Sequence, residues 1–177
     1  LIANKKFYKY LEKNSTKILN LKSPFVEKSI YESCKIKKKF VEKDEDEMGF
    51  RKILNFGHTF AHSYEASLGY SNKLNHGEAV ILGISSAIRF SHENKLLNII
   101  DYNSILKHIK ELKLPSKLSE YFSLRDISKI LSFMSKDKKN DSEMINLILL
   151  KKIGTPVKSK VYTKKYLKKF FNQILIN

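Results

Sequence analysis

Helical periodicity runs through most of the sequence and constrains the fold more than any other feature. Ser23-Pro24 opens a predicted helix that ends near Val41, and an apolar helix is predicted from Gly77 to about Asn94. Proline fits the first turn of a helix, and apolar residues three and four apart share one face. Further helices are predicted over Ile99–Leu112, Asp126–Met134 with Ser123 as its cap, and Lys164–Leu175 with Thr163 as its cap.

Two short segments near the end of the chain are predicted as strands. Met144–Leu150 is an apolar run of the length of a buried strand, and Lys158–Thr163 alternates weakly and can pair with it. A length of 177 residues suits one domain. The predicted fold class is therefore mainly α, with a minor strand pair.

The first residues also carry a helical pattern. Leu1 to Asn14 resembles the middle of an amphipathic helix, and Leu1 is not an initiating methionine. Since a domain rarely begins inside a helix, we expect the 177 residues to be part of a longer protein.

Composition limits the classes of function. The net charge of +16 would suit nucleic-acid binding, but only three of the 34 basic residues are arginine, the residue that base readers prefer. Scattered lysines on solvated faces are the favoured interpretation, with no nucleic-acid partner.

No apolar run approaches the roughly 20 residues needed to span a bilayer, so no membrane role is predicted. A single cysteine, Cys34, allows no internal disulfide and favours a cytoplasmic protein.

The segment RKILNFGHTFAHSYE, which starts at Arg51, carries an unusual polar stripe. A single helix is predicted over about Lys52–Leu68, ending at Gly69. Within it His58 and His62 are four residues apart, Asn55 precedes His58 by three, and Arg51 precedes Asn55 by four, which places all four on one face. Burying such a stripe without partners would cost several kcal/mol, so it is predicted to face a polar pocket.

A third histidine, His76, follows a loop and stands in the segment NHGEAV. Two imidazoles from different elements can hold one divalent ion, with a carboxylate completing the protein ligands and one position left open for substrate. Lys37 and the pair Lys138-Lys139 are candidate anion contacts, although a lone lysine is more often solvated.

The order R-x-x-x-N-x-x-H-x-x-x-H, then H-G-E-A-V, then D-K-K resembles the 3-dehydroquinate synthase family over about Lys37 to Asn140. Related sugar-phosphate cyclases share much of this pattern, and iron-dependent polyol dehydrogenases share part of it. The resemblance implies that residues 1–177 form a helical domain that binds metal and substrate. In the family this domain follows an N-terminal NAD-binding domain.

The resemblance also implies roles for individual residues. His58 and His76 fall on two metal-ligand positions, while the third ligand, a glutamate, would lie before Leu1. Zn²⁺ or Co²⁺ is the implied metal, and Glu47 falls on an acidic position near the site. Catalytic roles are implied for Lys37, Asn55 and His62, and substrate contacts for Arg51 and Lys138.

The activity implied is conversion of a seven-carbon keto-sugar acid phosphate, DAHP, to 3-dehydroquinate with loss of phosphate, a step of the shikimate pathway. It implies NAD and a divalent metal as cofactors, and a homodimer. The six glycines are dispersed and form no dinucleotide-binding fingerprint, so the 177 residues alone are expected to be inactive. Another sugar-phosphate cyclase or a polyol dehydrogenase is the alternative enzyme, and a basic nucleic-acid-binding module is the alternative of another class.

Overall fold

The computed structural model describes residues 1–136 and 143–176, which form seven α-helices and one antiparallel pair of strands. The predicted class, mainly α with a minor strand pair, is confirmed. The elements are α1 (Lys5–Leu19), α2 (Phe25–Lys43), α3 (His58–Ser67), α4 (His76–Glu93), α5 (Ile99–Glu111), α6 (Ile127–Lys136), β1 (Met144–Lys152), β2 (Thr155–Thr163) and α7 (Lys164–Ile176), with 3₁₀ helices at Arg51–Asn55, Leu118–Glu120 and Leu124–Asp126.

Helix α4 lies at the centre of the core. Leu82, Ala87 and Ile88 on it are completely buried. Ser91 ties the helix to the strand pair, since its hydroxyl donates to the carbonyl of Ala87 at 2.6 Å and accepts from the backbone N–H of Leu150 at 3.0 Å. In the described part of the chain no helix combines the length and apolar character needed to cross a bilayer.

Helices α3 and α4 approach each other at two glycines. A Cβ atom built on Gly83 would lie 2.3 Å from the carbonyl oxygen of Gly57 and 2.8 Å from the backbone nitrogen of Ala61. One built on Gly57 would lie 2.7 Å from the backbone nitrogen of Ile84. The start of α3 therefore packs directly on the backbone of α4, which fixes the position of His58.

The prediction of a single helix over Lys52–Leu68 is wrong, because the helical backbone is interrupted at Phe56 and Gly57. Residues Arg51–Asn55 form a 3₁₀ helix, Phe56 is extended (ψ 122°), and Gly57 has a left-handed φ of 83°. A residue with a side chain rarely adopts that conformation, whereas glycine does so without strain. Arg51 and Asn55 therefore do not continue the helical face of His58 and His62 as the spacing predicted.

The helix predicted from Leu1 begins later in the structure. Asn4 has extended backbone angles, and its side chain accepts a hydrogen bond from the N–H of Phe7 at 3.0 Å, which caps α1 at Lys5. The carbonyl of Leu1 instead accepts from the N–H of Gly154, in the turn between the two strands. The predicted helix is present, but it begins at Lys5 because Asn4 caps it.

The strand pair and α7 close the other side of the core. The register pairs Met144 with Thr163, and alternate residues of β1 such as Ile145 and Leu147 are buried. The side chain of Thr163 accepts from the N–H of Tyr166 at 3.2 Å, which confirms the predicted cap. On α7, Leu167 and Phe171 are completely buried, whereas Tyr166 is 46% exposed.

A polar contact joins α1 to α5 beside the core. The hydroxyl of buried Tyr8 lies 3.1 Å from Nδ1 of His108, and Nε2 of His108 is buried without a hydrogen-bond partner among the described residues. Burial lowers the pKa of His108 below its ordinary value of 6.5, against the opposing attraction of Glu12 and Glu111. The folded state therefore favours the neutral imidazole.

This contact predicts a loss of stability in mild acid. Because the folded-state pKa is depressed, the stabilisation is fully present above pH 6.5 and is lost as the pH falls through 6.5 towards the folded value. We expect His108→Gln, which cannot titrate, to lose less unfolding free energy between pH 7.5 and 5.5 than the unsubstituted protein. Urea denaturation at both pH values measures the difference. Equal losses in the two proteins would contradict this role for His108.

Candidate metal and substrate site

Three imidazoles from two helices form one cluster. His58 and His62 are separated by one turn of α3, and His76 is the first residue of α4. The ring centres of His58 and His62 are 5.5 Å apart, those of His58 and His76 are 6.1 Å apart, and those of His62 and His76 are 6.3 Å apart. The predicted meeting of these histidines is therefore observed.

A capping box holds His76 at the start of α4. The side chain of Asn75 accepts from the N–H of Glu78 at 3.0 Å, and the carboxylate of Glu78 accepts from the N–H of Asn75 at 3.0 Å. Such reciprocal bonds satisfy two backbone donors that a helix start leaves free. The segment N-H-G-E thus has its first and last residues committed to the cap, which leaves the imidazole between them available to the site.

The electrostatics of the cluster favour a neutral His58. Desolvation is the main cause that lowers its pKa, helped by the neighbouring His62 and His76, while a hydrogen bond to the carbonyl of Phe56 and the charge of Glu65 oppose the shift. The bond to Phe56 is 3.4 Å long and runs from Nδ1. A neutral ring that donates from Nδ1 keeps its Nε2 lone pair free, as a metal ligand requires.

The spacing of the rings is close to that of a shared metal ion. Two imidazoles on one tetrahedral ion, with Zn–N distances of about 2.0–2.1 Å, have ring centres roughly 5 Å apart. The observed spacings of 5.5–6.3 Å are slightly longer. Consistent with this, the described residues contain no group of three His, Cys, Asp or Glu side chains already converged for a metal. The donor chemistry, two imidazoles from neighbouring helices, is of the type that Zn²⁺ takes as ligands.

Glu65 is a member of the cluster that the sequence analysis missed. Its carboxylate lies 3.1 Å from Nδ1 of His76, and its side chain is only 13% exposed, whereas that of His76 is 62% exposed. Glu65 follows His62 by three residues and His58 by seven, so it lies on the same face of α3. That spacing was the available signal, but the contact itself depends on how α4 packs on α3.

Arg51 and Asn55 are held by the acidic turn, residues 44–47, which lies between α2 and the 3₁₀ helix Arg51–Asn55. The carboxylate of Asp44 accepts from the N–H groups of Arg51 and Gly49 at 2.8 Å and of Met48 at 2.7 Å. These bonds, that of Arg51 foremost, lower the pKa of Asp44. The turn is therefore built around a carboxylate.

Both side chains of this segment also contact the turn. An Nη of Arg51 donates to the carbonyl of Glu45 at 2.7 Å, and the amide of Asn55 donates to the carboxylate of Glu47 at 2.7 Å. In the part of the chain that the structure describes, the guanidinium makes this one hydrogen bond, although it has five N–H donors. Glu47, at the acidic position that the resemblance marked, thus orients Asn55.

The two predicted lysines lie differently. Lys37 is exposed on α2, one turn before Phe40, whose ring stacks on that of Phe50 next to Arg51 at 4.6 Å. This stacking places α2 beside the acidic turn. The described contacts do not join Lys37 to the histidines. Lys138, with Lys139, lies outside the described residues.

Residues 1–140 match the family model described as 3-dehydroquinate synthase C-terminal. The chain belongs to the 3-dehydroquinate synthase family. It is 53% identical to the 3-dehydroquinate synthase of Pelagibacter ubique over 175 residues, which are 99% of this chain and 48% of that protein. It is 40% identical to the 3-dehydroquinate synthase of Dictyoglomus thermophilum over 157 residues, which are 87% of this chain and 42% of that protein. The chain thus spans about half the length of these curated relatives.

Solved structures show the same fold at low sequence identity. A 2-epi-5-epi-valiolone synthase from Streptomyces hygroscopicus subsp. jinggangensis, with NAD⁺ and Zn²⁺ bound, matches 98% of this chain and 47% of its own with a TM-score of 0.79 at 19% identity. A 2-deoxy-scyllo-inosose synthase complexed with carbaglucose-6-phosphate, NAD⁺ and Co²⁺ matches 73% of this chain and 36% of its own, with a TM-score of 0.57 at 22% identity. Both support a 3-dehydroquinate synthase-like fold.

Proposed function

We propose that this chain is the metal- and substrate-binding part of a 3-dehydroquinate synthase. The enzyme would convert DAHP to 3-dehydroquinate and phosphate in the shikimate pathway, with NAD and Zn²⁺ or Co²⁺ as cofactors. The observation that carries the proposal is the cluster of His58, His62 and His76 in a chain of this family. A cytoplasmic homodimer is part of the same proposal.

The histidines divide between two tasks in this proposal. His58 and His76 hold the metal, which when bound supplies Lewis-acid chemistry to substrate hydroxyls. His62 is exposed on the same face one turn after His58, so it can hydrogen-bond the phosphate or relay a proton. Its ring is 5.5 Å from that of His58, which keeps it within reach of a substrate at the metal.

The polar residues before α3 would bind the anionic substrate. The free donors of Arg51 would neutralise phosphate or carboxylate, and Asn55, oriented by Glu47, would position substrate hydroxyls. Lys37 and Lys138 would add positive charge from two other segments. The net charge of +16 assists the approach of a substrate of opposite sign.

The substrate class is tested with the natural protein. Purified protein with NAD and Zn²⁺ or Co²⁺ is expected to release phosphate from DAHP and to form 3-dehydroquinate, and chelation of the metal is expected to stop both. The isolated 177-residue chain is expected to be inactive in the same assay. Conversion of a different sugar phosphate, or of an unphosphorylated polyol, with DAHP left unchanged would favour the alternative enzymes over this proposal.

A nucleic-acid-binding module is distinguished by its response to salt and chelator. Phosphate-backbone binding falls steeply as salt rises and does not depend on a divalent metal. A filter-binding titration with and without chelator measures both. Tight, metal-independent binding of nucleic acid by a protein that leaves DAHP unchanged would replace the enzyme proposal.

Arg51→Ala is expected to weaken the binding of a phosphorylated substrate analogue. Loss of a charged hydrogen bond costs about 1.5–3 kcal/mol, which is roughly one to two decades in affinity. Metal and NAD binding should change far less, because Arg51 contacts the acidic turn rather than the histidines. Calorimetric titration measures the three affinities, with Arg125→Ala, a substitution of an exposed arginine outside the acidic turn, as the control. An unchanged dissociation constant for the analogue would remove Arg51 from the substrate site.

A further inference from the structure

The side chain of His76 is largely exposed to solvent at the start of α4. His76 is the first residue of α4, and its side chain is 62% exposed, so few packing contacts restrict its rotamer. The imidazole ring of His76 is restrained by a hydrogen bond from its Nδ1 to the carboxylate of Glu65 at 3.1 Å. The side chain of Glu65 is 13% exposed and projects from α3 towards α4.

The hydrogen bond also determines where the proton of a neutral His76 lies. An ionised carboxylate can only accept, so Nδ1 must carry the hydrogen and donate it to Glu65. The lone pair of the neutral ring is then on Nε2, on the other side of the imidazole from Glu65. In the opposite tautomer Nδ1 would present a lone pair to a carboxylate oxygen, and the two acceptors would repel each other.

We propose that Glu65 is a positioning residue that fixes the tautomer and orientation of His76, so that Nε2 faces the metal. This inference rests on the metal site of the proposed function and assigns it a partner outside the ligands. The sequence spacing supports the assignment, because Glu65 shares its helix face with His58 and His62. A rigid helix therefore carries one ligand directly and aligns the second ligand through Glu65. Loss of such an outer partner typically weakens metal binding about 10–100-fold.

Two variants of the natural protein test this role. Glu65→Ala is expected to weaken Co²⁺ binding about 10–100-fold in competition with a chelator. Glu65→Gln keeps an acceptor oxygen for Nδ1–H and is expected to recover part of that loss. Glu111→Ala is the matched control, since Glu111 is an exposed glutamate on α5, and it should leave the affinity unchanged. Thermal unfolding of each metal-free protein checks that the fold survives.

A second readout needs no metal. Long-range ¹H–¹⁵N spectra of the metal-free protein identify the tautomer of each histidine, and His76 is expected to be the Nδ1–H form. In Glu65→Ala it should become a mixture dominated by Nε2–H, the form common in free histidine side chains. A His76 that is already Nε2–H in the unsubstituted protein would overturn the assignment.

The metal titration has three further outcomes. A Co²⁺ affinity of Glu65→Ala within twofold of the unsubstituted protein would overturn the positioning role. A loss as large as that in His58→Ala, with a changed Co²⁺ absorption spectrum, would overturn it too, because Glu65 would then be a direct ligand. Absence of tight Co²⁺ binding by the unsubstituted protein would overturn the proposed metal site and this assignment with it, whereas the first two outcomes leave the metal site standing.

Discussion

His58→Ala and His76→Ala, each made in the natural protein, are expected to abolish tight binding of the divalent metal. Each variant removes one of the two proposed imidazole ligands, His58 and His76, whose ring centres are 6.1 Å apart. The loss should exceed the roughly 10–100-fold cost of losing an outer partner, because a direct ligand is removed. Metal content after dialysis against a chelator gives the measurement, and near-stoichiometric metal in both variants would exclude these residues as ligands.

Two other histidines make this experiment specific. His62→Ala is expected to retain the metal while slowing turnover, although the ring of His62 lies 5.5 Å from that of His58 and the ring of His76 lies 6.1 Å from it. His92→Ala is the distant control, since His92 bonds the carbonyl of Leu97 at 3.0 Å and stacks on Tyr102. Loss of metal in His62→Ala with retention in His76→Ala would exchange the roles of these two histidines.

Sequence reasoning located most helices because their signals are local. Thr163 caps α7 as the sequence predicted, and Ser123 caps the 3₁₀ helix Leu124–Asp126, which leads directly into α6. A proline precedes α2, and β1 begins at the predicted Met144. Each of these features depends on residues within one or two turns of the chain, so one sequence is sufficient to predict them.

The break at Gly57 could not be predicted in the same way. The spacing from Arg51 to His62 fits a continuous helix, and a single glycine inside a helical pattern is tolerated. What decides the break is the approach of Ile84 and Gly83 from α4, which is a tertiary contact. The consequence reaches the site, because Arg51 and Asn55 bond to the acidic turn at Glu45 and Glu47 rather than lying on α3.

The candidate site was predicted in part for the same reason. The spacing of His58 and His62 placed them on one face, and the segment NHGEAV added His76 from a second element, which the structure brings within 6.3 Å of both. The contact of Glu65 with His76 depends on the packing of α4 against α3, which no local pattern encodes. Which of the three imidazoles bind metal remains a prediction for the substitutions above.

Gly83→Ala is expected to destabilise the fold although it places alanine in the middle of a helix. Alanine in place of glycine in a helix interior gains roughly 0.5–1 kcal/mol from propensity alone. Here the new Cβ would lie 2.3 Å from the carbonyl oxygen of Gly57 and 2.8 Å from the backbone nitrogen of Ala61. Both atoms are backbone, so no rotamer change relieves the contact. Overpacking typically costs about 1–3 kcal/mol, and this contact belongs at the upper end of that range.

The control for this substitution lies on the same helix. Within residues 1–136 and 143–176, a Cβ on Gly77 would meet only the side-chain oxygen of Asn75, at an ordinary 3.6 Å, so Gly77→Ala should leave the free energy of unfolding unchanged or slightly higher. Urea denaturation of both variants measures the difference. In Gly83→Ala the start of α3 must move away from α4, and His58 moves with it, so metal affinity should fall together with stability. A Gly83→Ala protein as stable as the Gly77→Ala protein would show that the two helices separate at little cost, and the close approach would then not be what positions His58.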